Sequence, residues 1–418
     1  MLLLIDIAHT APVATCWVWY RVGARNEISG TTGLSHWVEH MLFKGTPRYP
    51  RGELDRIIPR NGGVFNAFTS ADYTAYFATL PADRIGLAID IEADRMVNAI
   101  FDLEEVERER TVIIAEREGS ENDAEFWLNE AVMAAAYQVH PYRNEIIGWK
   151  SDLHAITRDE LYTHYQSFYR PDNATLVIAG DVDLDTLLPQ IEATFGAIAP
   201  GGPPPPVRLR EPESQGERRV LVRRPGPASY VQIAYHATDC RHPDYAPLVV
   251  LDAVLSGAKP VGSAGTATHR SARLYRALVE TEIAVYASSG FRAAIDPTLF
   301  EFSAMVNDGH STDDVERGLL AEVTRVQDDG VSTEEITRIQ KQLRAQIAYG
   351  AESVTSRAQQ LGMWQVLDTH TRVASLYDQI AAVDAAAVQR VAQQYLTERR
   401  RTVGQFIPDG SAPETEGA

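Results

Sequence analysis

Two cysteines, Cys16 and Cys240, are all that the 418 residues contain. Two thiols so far apart build no disulfide framework and offer no thiolate cluster for a metal, so any metal site must rest on nitrogen and oxygen ligands. The same scarcity fits a reducing compartment, and a cytoplasmic location is expected. Long apolar runs are lacking as well. None reaches the roughly 18 residues that a bilayer-spanning helix needs, so no membrane partner is expected. The opening MLLLIDIAHT has no basic n-region and no small-residue cleavage site, and reads as a first β-strand rather than a signal peptide. Positive charge is also in deficit: 39 Lys and Arg stand against 57 Asp and Glu, a net charge of −18. That balance disfavours nucleic acid and anionic surfaces and is compatible with basic or unstructured peptides.

What is present is ordinary for a globular protein. Apolar residues make up 44% and charged residues 23%, enough for sizeable cores in two domains. Pro200-Gly201-Gly202-Pro203-Pro204-Pro205-Pro206 marks the boundary, because consecutive prolines continue neither a helix nor a central strand. The expected division is a first domain over 1–199, a linker over 200–216, a second domain over 217–410 and a disordered tail over 411–418. The two halves are weak repeats. Phe168 and Tyr395 close similar helices, Thr175 and Thr402 open similar strands, and both pairs share an offset of 227. Each half also opens with a strand and then a helix: 16–22 before the helix around residue 36, and 230–236 before 245–255.

His36-Trp37-Val38-Glu39-His40 carries the chemistry. On a helix, His36 and His40 are i, i+4 neighbours able to bind one ion, and Glu39 lies beside that ion. Two neutral imidazoles holding zinc, with a carboxylate placed to take a proton from the attacking water, make a hydrolase site; this order is the reverse of H-E-x-x-H. Thr31, Thr32 and Gly33 offer N-caps, Gly45 a stop, and a helix of three to four turns is predicted. A second helix is predicted over 103–118, with Val106, Ile113 and Ile114 apolar and with Glu109 and Glu116 two turns apart on one face. Two carboxylates on a buried face are expensive unless paired or metal-bound, while both being solvated is the plain alternative.

Three stretches, GLSHWVEHMLFKGT (33–46), NGGVFNAFTSADYTAYFATL (61–80) and FDLEEVERERTVIIAERE (101–118), resemble the pitrilysin/insulinase family of zinc peptidases, M16, which includes the mitochondrial processing peptidases. The bacterial M16B type is the nearest in pattern. The resemblance implies an α+β architecture: two homologous α/β-sandwich domains, each an antiparallel sheet of five or six strands covered by helices (the LuxS/MPP-like metallohydrolase fold). It implies one Zn2+ per chain on His36, His40 and Glu116; 75 residues separate His40 from Glu116, as in the family. Glu39 becomes the general base, and Glu109 an auxiliary acid that orients a ligand. The strand at 64–69 becomes an edge that pairs with an extended peptide, with Asn66 and Ala67 as the substrate-contacting pair.

In the second half, Arg273-Leu274-Tyr275 and Val285-Tyr286-Ala287-Ser288 resemble the family's S-R-L and A-Y-S segments, with Ala272 and Val285 as departures. There Arg273 and Tyr286 would hold peptide carbonyls, the Tyr286 hydroxyl donating to the developing oxyanion. The Gly/Ala-rich loop over 256–268 falls near a loop that affects substrate entry in processing peptidases, and flexibility alone also accounts for it. The resemblance thus implies a zinc endopeptidase acting on unfolded peptides inside a chamber. One chain carries both the metal motif and the Arg/Tyr pair, which favours a homodimer with Arg273 and Tyr286 of one subunit facing the zinc of the other. A heterodimer with an inactive paralogue stays open. Two rivals remain: a non-catalytic subunit with a structural or chaperone-like peptide-binding role, and a closed structural zinc site with a fourth ligand such as His140.

Overall fold

The computed structural model describes residues 1–260 and 269–410, so the expected tail and most of the Gly/Ala-rich loop lie outside the described residues. The chain divides into two compact units. Unit 1 gathers Met1–Glu118, Asn144–Leu209 and Gly350–Val373; unit 2 gathers Gly119–Arg143, Arg210–Tyr349 and the residues from 374 on.

Unit 1 holds β1 (Leu2–Ile7), β2 (Val13–Tyr20), α1 (Leu34–Met41), α2 (Glu53–Arg60), β3 (Val64–Thr69), β4 (Thr74–Pro81), α3 (Ile85–Asn98) and α4 (Leu103–Ser120). The chain then forms α5 (Ala124–Ala136), which belongs to unit 2, and returns to unit 1 for α6 (Lys150–Ala155), α7 (Arg158–Phe168), β5 (Ala174–Gly180) and α8 (Leu184–Thr194). Unit 2 continues with β6 (Arg218–Arg224), β7 (Tyr230–His236), α9 (Tyr245–Ser256), β8 (Ala284–Phe291), β9 (Leu299–Val306), α10 (Thr312–Asp329) and α11 (Thr333–Gly350). After them come α12 (Val354–Leu367), which is part of unit 1, α13 (Arg372–Ala381), α14 (Ala385–Tyr395) and β10 (Arg401–Pro408).

The repeat is visible in the sheets. Their strand orders are β1-β5-β2-β4-β3 and β6-β10-β7-β9-β8, the same path walked twice. The helices α7 and α14 end at Phe168 and Tyr395, the pair that the 227-residue offset singled out. The expectation of antiparallel sheets needs correction: both sheets are mixed. β5 is inserted between β1 and β2, which run in opposite directions, so it pairs antiparallel with β2 and parallel with β1. β10 does the same between β6 and β7.

Neither unit is a continuous half of the chain, contrary to the division drawn from the proline run. The physical reason is that both faces of each sheet are apolar and both need cover. In β2, Ala14, Cys16, Val18 and Tyr20 enter a core with residues of α1, α3 and α7. Trp17 and Trp19 point to the other face, where Trp17 stacks on Phe77 at 4.2 Å. That second face is covered by α12, donated from the other half of the sequence. Thr355 on α12 meets Thr79 at 2.9 Å and Arg357 bonds Asp6 at 2.6 Å, so the helix is tied to the sheet by polar contacts as well. In return α5 covers β6, β7 and β10 in unit 2. Gly404 of β10 makes room for it, since a Cβ there would lie 2.3 Å from a methyl of Val132.

A candidate metal centre

The short helix α1 carries the metal motif, and of the three N-cap candidates Gly33 is the one it uses. It spans eight residues, just over two turns, so it is shorter than predicted. Its N-cap is Gly33 in the left-handed region at φ 92°, where a Cβ would meet the Ile147 carbonyl oxygen at 2.5 Å. No N-cap side chain serves the first turn. The carboxylate of Glu27 does so instead, accepting from the N–H of Gly33 at 2.8 Å and of Ser35 at 2.7 Å. Burial pushes the Glu27 carboxyl up to about 7. Thr32 is turned away from the helix: its hydroxyl donates to Asp152 at 2.8 Å and accepts from the N–H of Trp149 at 2.9 Å.

The third arm of the site arrives on α4, and the loop before α6 helps to place it. Buried Arg117 donates to the Gly148 carbonyl at 2.9 Å, one residue before the Trp149 N–H that holds Thr32. Arg110 donates to the Ile156 carbonyl at 2.8 Å and lies over the Trp37 ring of α1 at 4.8 Å. Of the two predicted acids on α4, Glu109 is buried and Glu116 has a half-exposed side chain. They do not share a buried face, because the half-exposed Glu116 carboxylate faces the two histidines, its Oε2 toward each Nε2.

Three of the predicted residues converge. One ligand atom each from His36, His40 and Glu116 lies within 4.8 Å of the others, the only such group of three among the described residues. The Nε2 atoms of His36 and His40 stand 3.8 and 3.7 Å from Glu116 Oε2. Tetrahedral zinc with bonds near 2.1 Å needs ligand atoms about 3.4 Å apart, slightly less than these two separations. Two imidazoles and one carboxylate with a fourth direction open is the donor chemistry of a catalytic rather than a structural zinc site. Burial, and then the neighbouring His40, hold His36 down to about 3, so it stays neutral and keeps its lone pair.

Around this set lie the remaining predicted residues of unit 1. Glu109 Oε1 is 2.8 Å from His40 Nδ1 and leaves Nε2 to face Glu116. Burial pushes the Glu109 carboxyl up, but hydrogen bonds from His40 and Lys44 outweigh it and hold the carboxyl below its usual range. Lys44, unremarked in the sequence beyond its place in the motif, pairs with the other oxygen of Glu109. Its position one turn past His40 was the available signal. Glu39 is buried, which raises its pKa, while the Thr69 hydroxyl, donating to Oε2 at 2.5 Å, works in the opposite direction. Thr69 was a second omission.

β3 is an end strand of its sheet, as the resemblance implied. The Asn66 side chain accepts from the Ala67 N–H at 2.9 Å, covering that main-chain donor. Arg273 and Tyr286 lie in unit 2, and each has a partner there. Arg273 precedes a π-helical turn, Tyr275–Val279, and donates to both oxygens of Glu335, at 3.0 and 2.8 Å. Tyr286 sits on β8 beside a bulge, its hydroxyl donating to Glu125 at 2.5 Å. His140, the rival's fourth ligand, is also in unit 2. Its Nε2 faces Asp296 at 3.0 Å and its Nδ1 accepts from the Tyr142 N–H at 3.2 Å, so neither nitrogen is left for a metal.

Comparison with known proteins places these features. A family model described as insulinase, peptidase family M16, matches residues 3–150, and one described as the peptidase M16 inactive domain matches 155–343. A probable mitochondrial-processing peptidase subunit beta of Arabidopsis thaliana is 28% identical over 97% of this chain and 76% of its own length. An uncharacterized zinc protease of Bacillus subtilis is 25% identical over 95% of this chain and 93% of its own. A protease structure from Helicobacter pylori superposes with a TM-score of 0.90 at 24% identity, covering 97% of this chain and 96% of that one, and so shares the fold.

Proposed function

We propose that this chain, which belongs to peptidase family M16, is a zinc-dependent endopeptidase that cleaves extended, unfolded peptides. The observation that carries the reading is the convergence of His36, His40 and Glu116 with Glu39 beside them. Zinc held there would supply Lewis acidity, bringing a water toward neutral pKa and polarising the scissile carbonyl. The residues of the chain do the rest. Glu39 takes the water's proton, which a carboxylate with a raised pKa does more readily than an ordinary one, and then delivers it to the leaving amine. The free edge of β3 pairs with the peptide main chain, a form of recognition that tolerates many sequences. Arg273 and Tyr286 would steady the peptide carbonyls and the oxyanion, as part of a homodimer in which each subunit serves the other's zinc.

The test compares wild type with Glu39→Gln, measuring fluorogenic peptide cleavage and bound zinc on the same samples. Cleavage by wild type, with a variant that keeps about one zinc per chain and loses cleavage, supports the reading. Zinc binding without cleavage across a diverse peptide library overturns it in favour of a non-catalytic subunit.

A further inference from the structure

We propose that Thr69 is a positioning residue that aims Glu39, so that the strand offered to the peptide also sets the orientation of the base. The inference rests on the assignment of Glu39 as that base. Three observations carry it. The Thr69 hydroxyl lies 2.5 Å from Glu39 Oε2, within the range of a charge-assisted O–H···O contact. The competing acceptor is the poorer one: Thr74, whose own proton goes to the Val22 carbonyl at 2.9 Å, would accept from Thr69 only across 3.4 Å. A threonine hydroxyl has one proton to give, and for Thr69 the carboxylate is the acceptor at hydrogen-bond distance. Finally, Thr69 is the last residue of β3, paired in register with Thr74 of β4, while Asn66 and Ala67 lie three and two positions earlier on the same strand.

The consequence is geometric. A glutamate terminus rotates broadly about its last torsion, and a free carboxylate would present either oxygen in many directions. With Oε2 held, Oε1 is left with a narrow set of directions for the water. Thr69 is fixed by the ladder of β3, so displacement of that strand moves the hydrogen bond and with it the base. Sequence alone places Thr69 30 positions from Glu39 and suggests nothing of this.

Thr69→Val keeps the shape and removes the proton donor; Thr69→Ser keeps the donor. The expected result is that Thr69→Val lowers kcat about 10- to 100-fold, part of what a general base contributes, with KM within about twofold. Thr69→Ser should stay within about threefold of wild type in both. Zinc affinity and the affinity of zinc-free protein for an uncleaved peptide should be unchanged in both variants, because neither the ligands nor the β3 main chain is altered. Equal loss in the two variants, or a matching loss of zinc, overturns the inference by showing that packing rather than the hydroxyl matters. A second readout does not depend on cleavage. Crystal structures of the zinc-free proteins should show the Glu39 carboxylate displaced in Thr69→Val and retained in Thr69→Ser. If it keeps its place in Thr69→Val the inference fails, even where wild type proves to be a peptidase. If wild type cleaves nothing, the proposed function fails, while the carboxylate position still decides whether Thr69 orients Glu39.

Discussion

Gly362 of α12 lies so close to Trp19 of β2 that a Cβ at position 362 would fall 2.0 Å from the indole nitrogen. Trp19 cannot give way. It is fully buried and boxed in by Trp17 at 5.4 Å, Tyr73 at 5.1 Å and Phe68 at 5.8 Å between ring centroids. Gly362→Ala should therefore destabilise the protein by about 1–3 kcal/mol, despite alanine's better helix propensity. Urea unfolding of the two proteins checks this. An unchanged midpoint would mean that α12 is not held against the sheet.

Glu27 predicts a pH dependence in the zinc-free protein. Its folded pKa, about 7, stands above the ordinary value of 4.5, so the native state binds more protons between the two. The stability it contributes is fully present below about 4.5 and is lost as pH rises through about 7. Buried His164, held down to about 3, acts in the opposite sense: its contribution is present above 6.5 and is lost as pH falls. The raw stability curve therefore mixes the two, and the difference between wild type and Glu27→Gln isolates the first. That difference should move against wild type by about 1–3 kcal/mol between pH 5 and pH 8. Thermal melts in matched buffers measure it, and a flat difference rules the titration out.

Glu109→Gln should weaken zinc binding about 10- to 100-fold, because it replaces the charged acceptor at His40 Nδ1 with an amide and leaves Lys44 without its partner charge. Competition with a chromophoric chelator reads the affinity directly. Zinc should also raise the melting temperature of wild type. Saturation at 100 times Kd stabilises by about 2.7 kcal/mol. Chelation should leave a folded protein, since α1 and α4 are held by Glu27, Arg110 and Arg117 without a metal.

Arg273 has a structural partner in addition to any substrate it binds. Two nearly parallel hydrogen bonds join it to Glu335, whose carboxyl the Arg273 guanidinium holds down to about 2. Arg273→Lys keeps the charge but loses the fork, and Glu335→Gln keeps the arginine but loses the charge pair. Each should cost about 1 kcal/mol of stability. Only Arg273→Lys should raise KM for peptides. A rise in both would assign the KM effect to misplacement of the turn rather than to lost substrate contacts.

The histidine pair of the candidate metal centre and the repeat were legible in the sequence because one is local and the other strictly spaced. His36 and His40 are one helical turn apart, so any helix brings them together. The 227-residue offset aligned Phe168 with Tyr395, which end equivalent helices, and Thr175 with Thr402, which are the second residues of equivalent strands. The turn signal Asn61-Gly62-Gly63 just ahead of it marked the start of Val64–Thr69. Glu116 was reached through family spacing, since nothing in the composition of α4 distinguishes it from the other acids of that helix.

Tertiary structure alone decided the rest. It inserted β5 between β1 and β2 and so made the sheets mixed. It passed α5 and α12 to the opposite units because an apolar sheet face must be covered, whichever part of the chain supplies the helix. It brought Glu27 and Thr69 to the motif through hydrogen bonds, which carry no periodic signal. Sequence determines chemistry that recurs at fixed spacing; the partners that orient that chemistry come from segments whose proximity only folding creates.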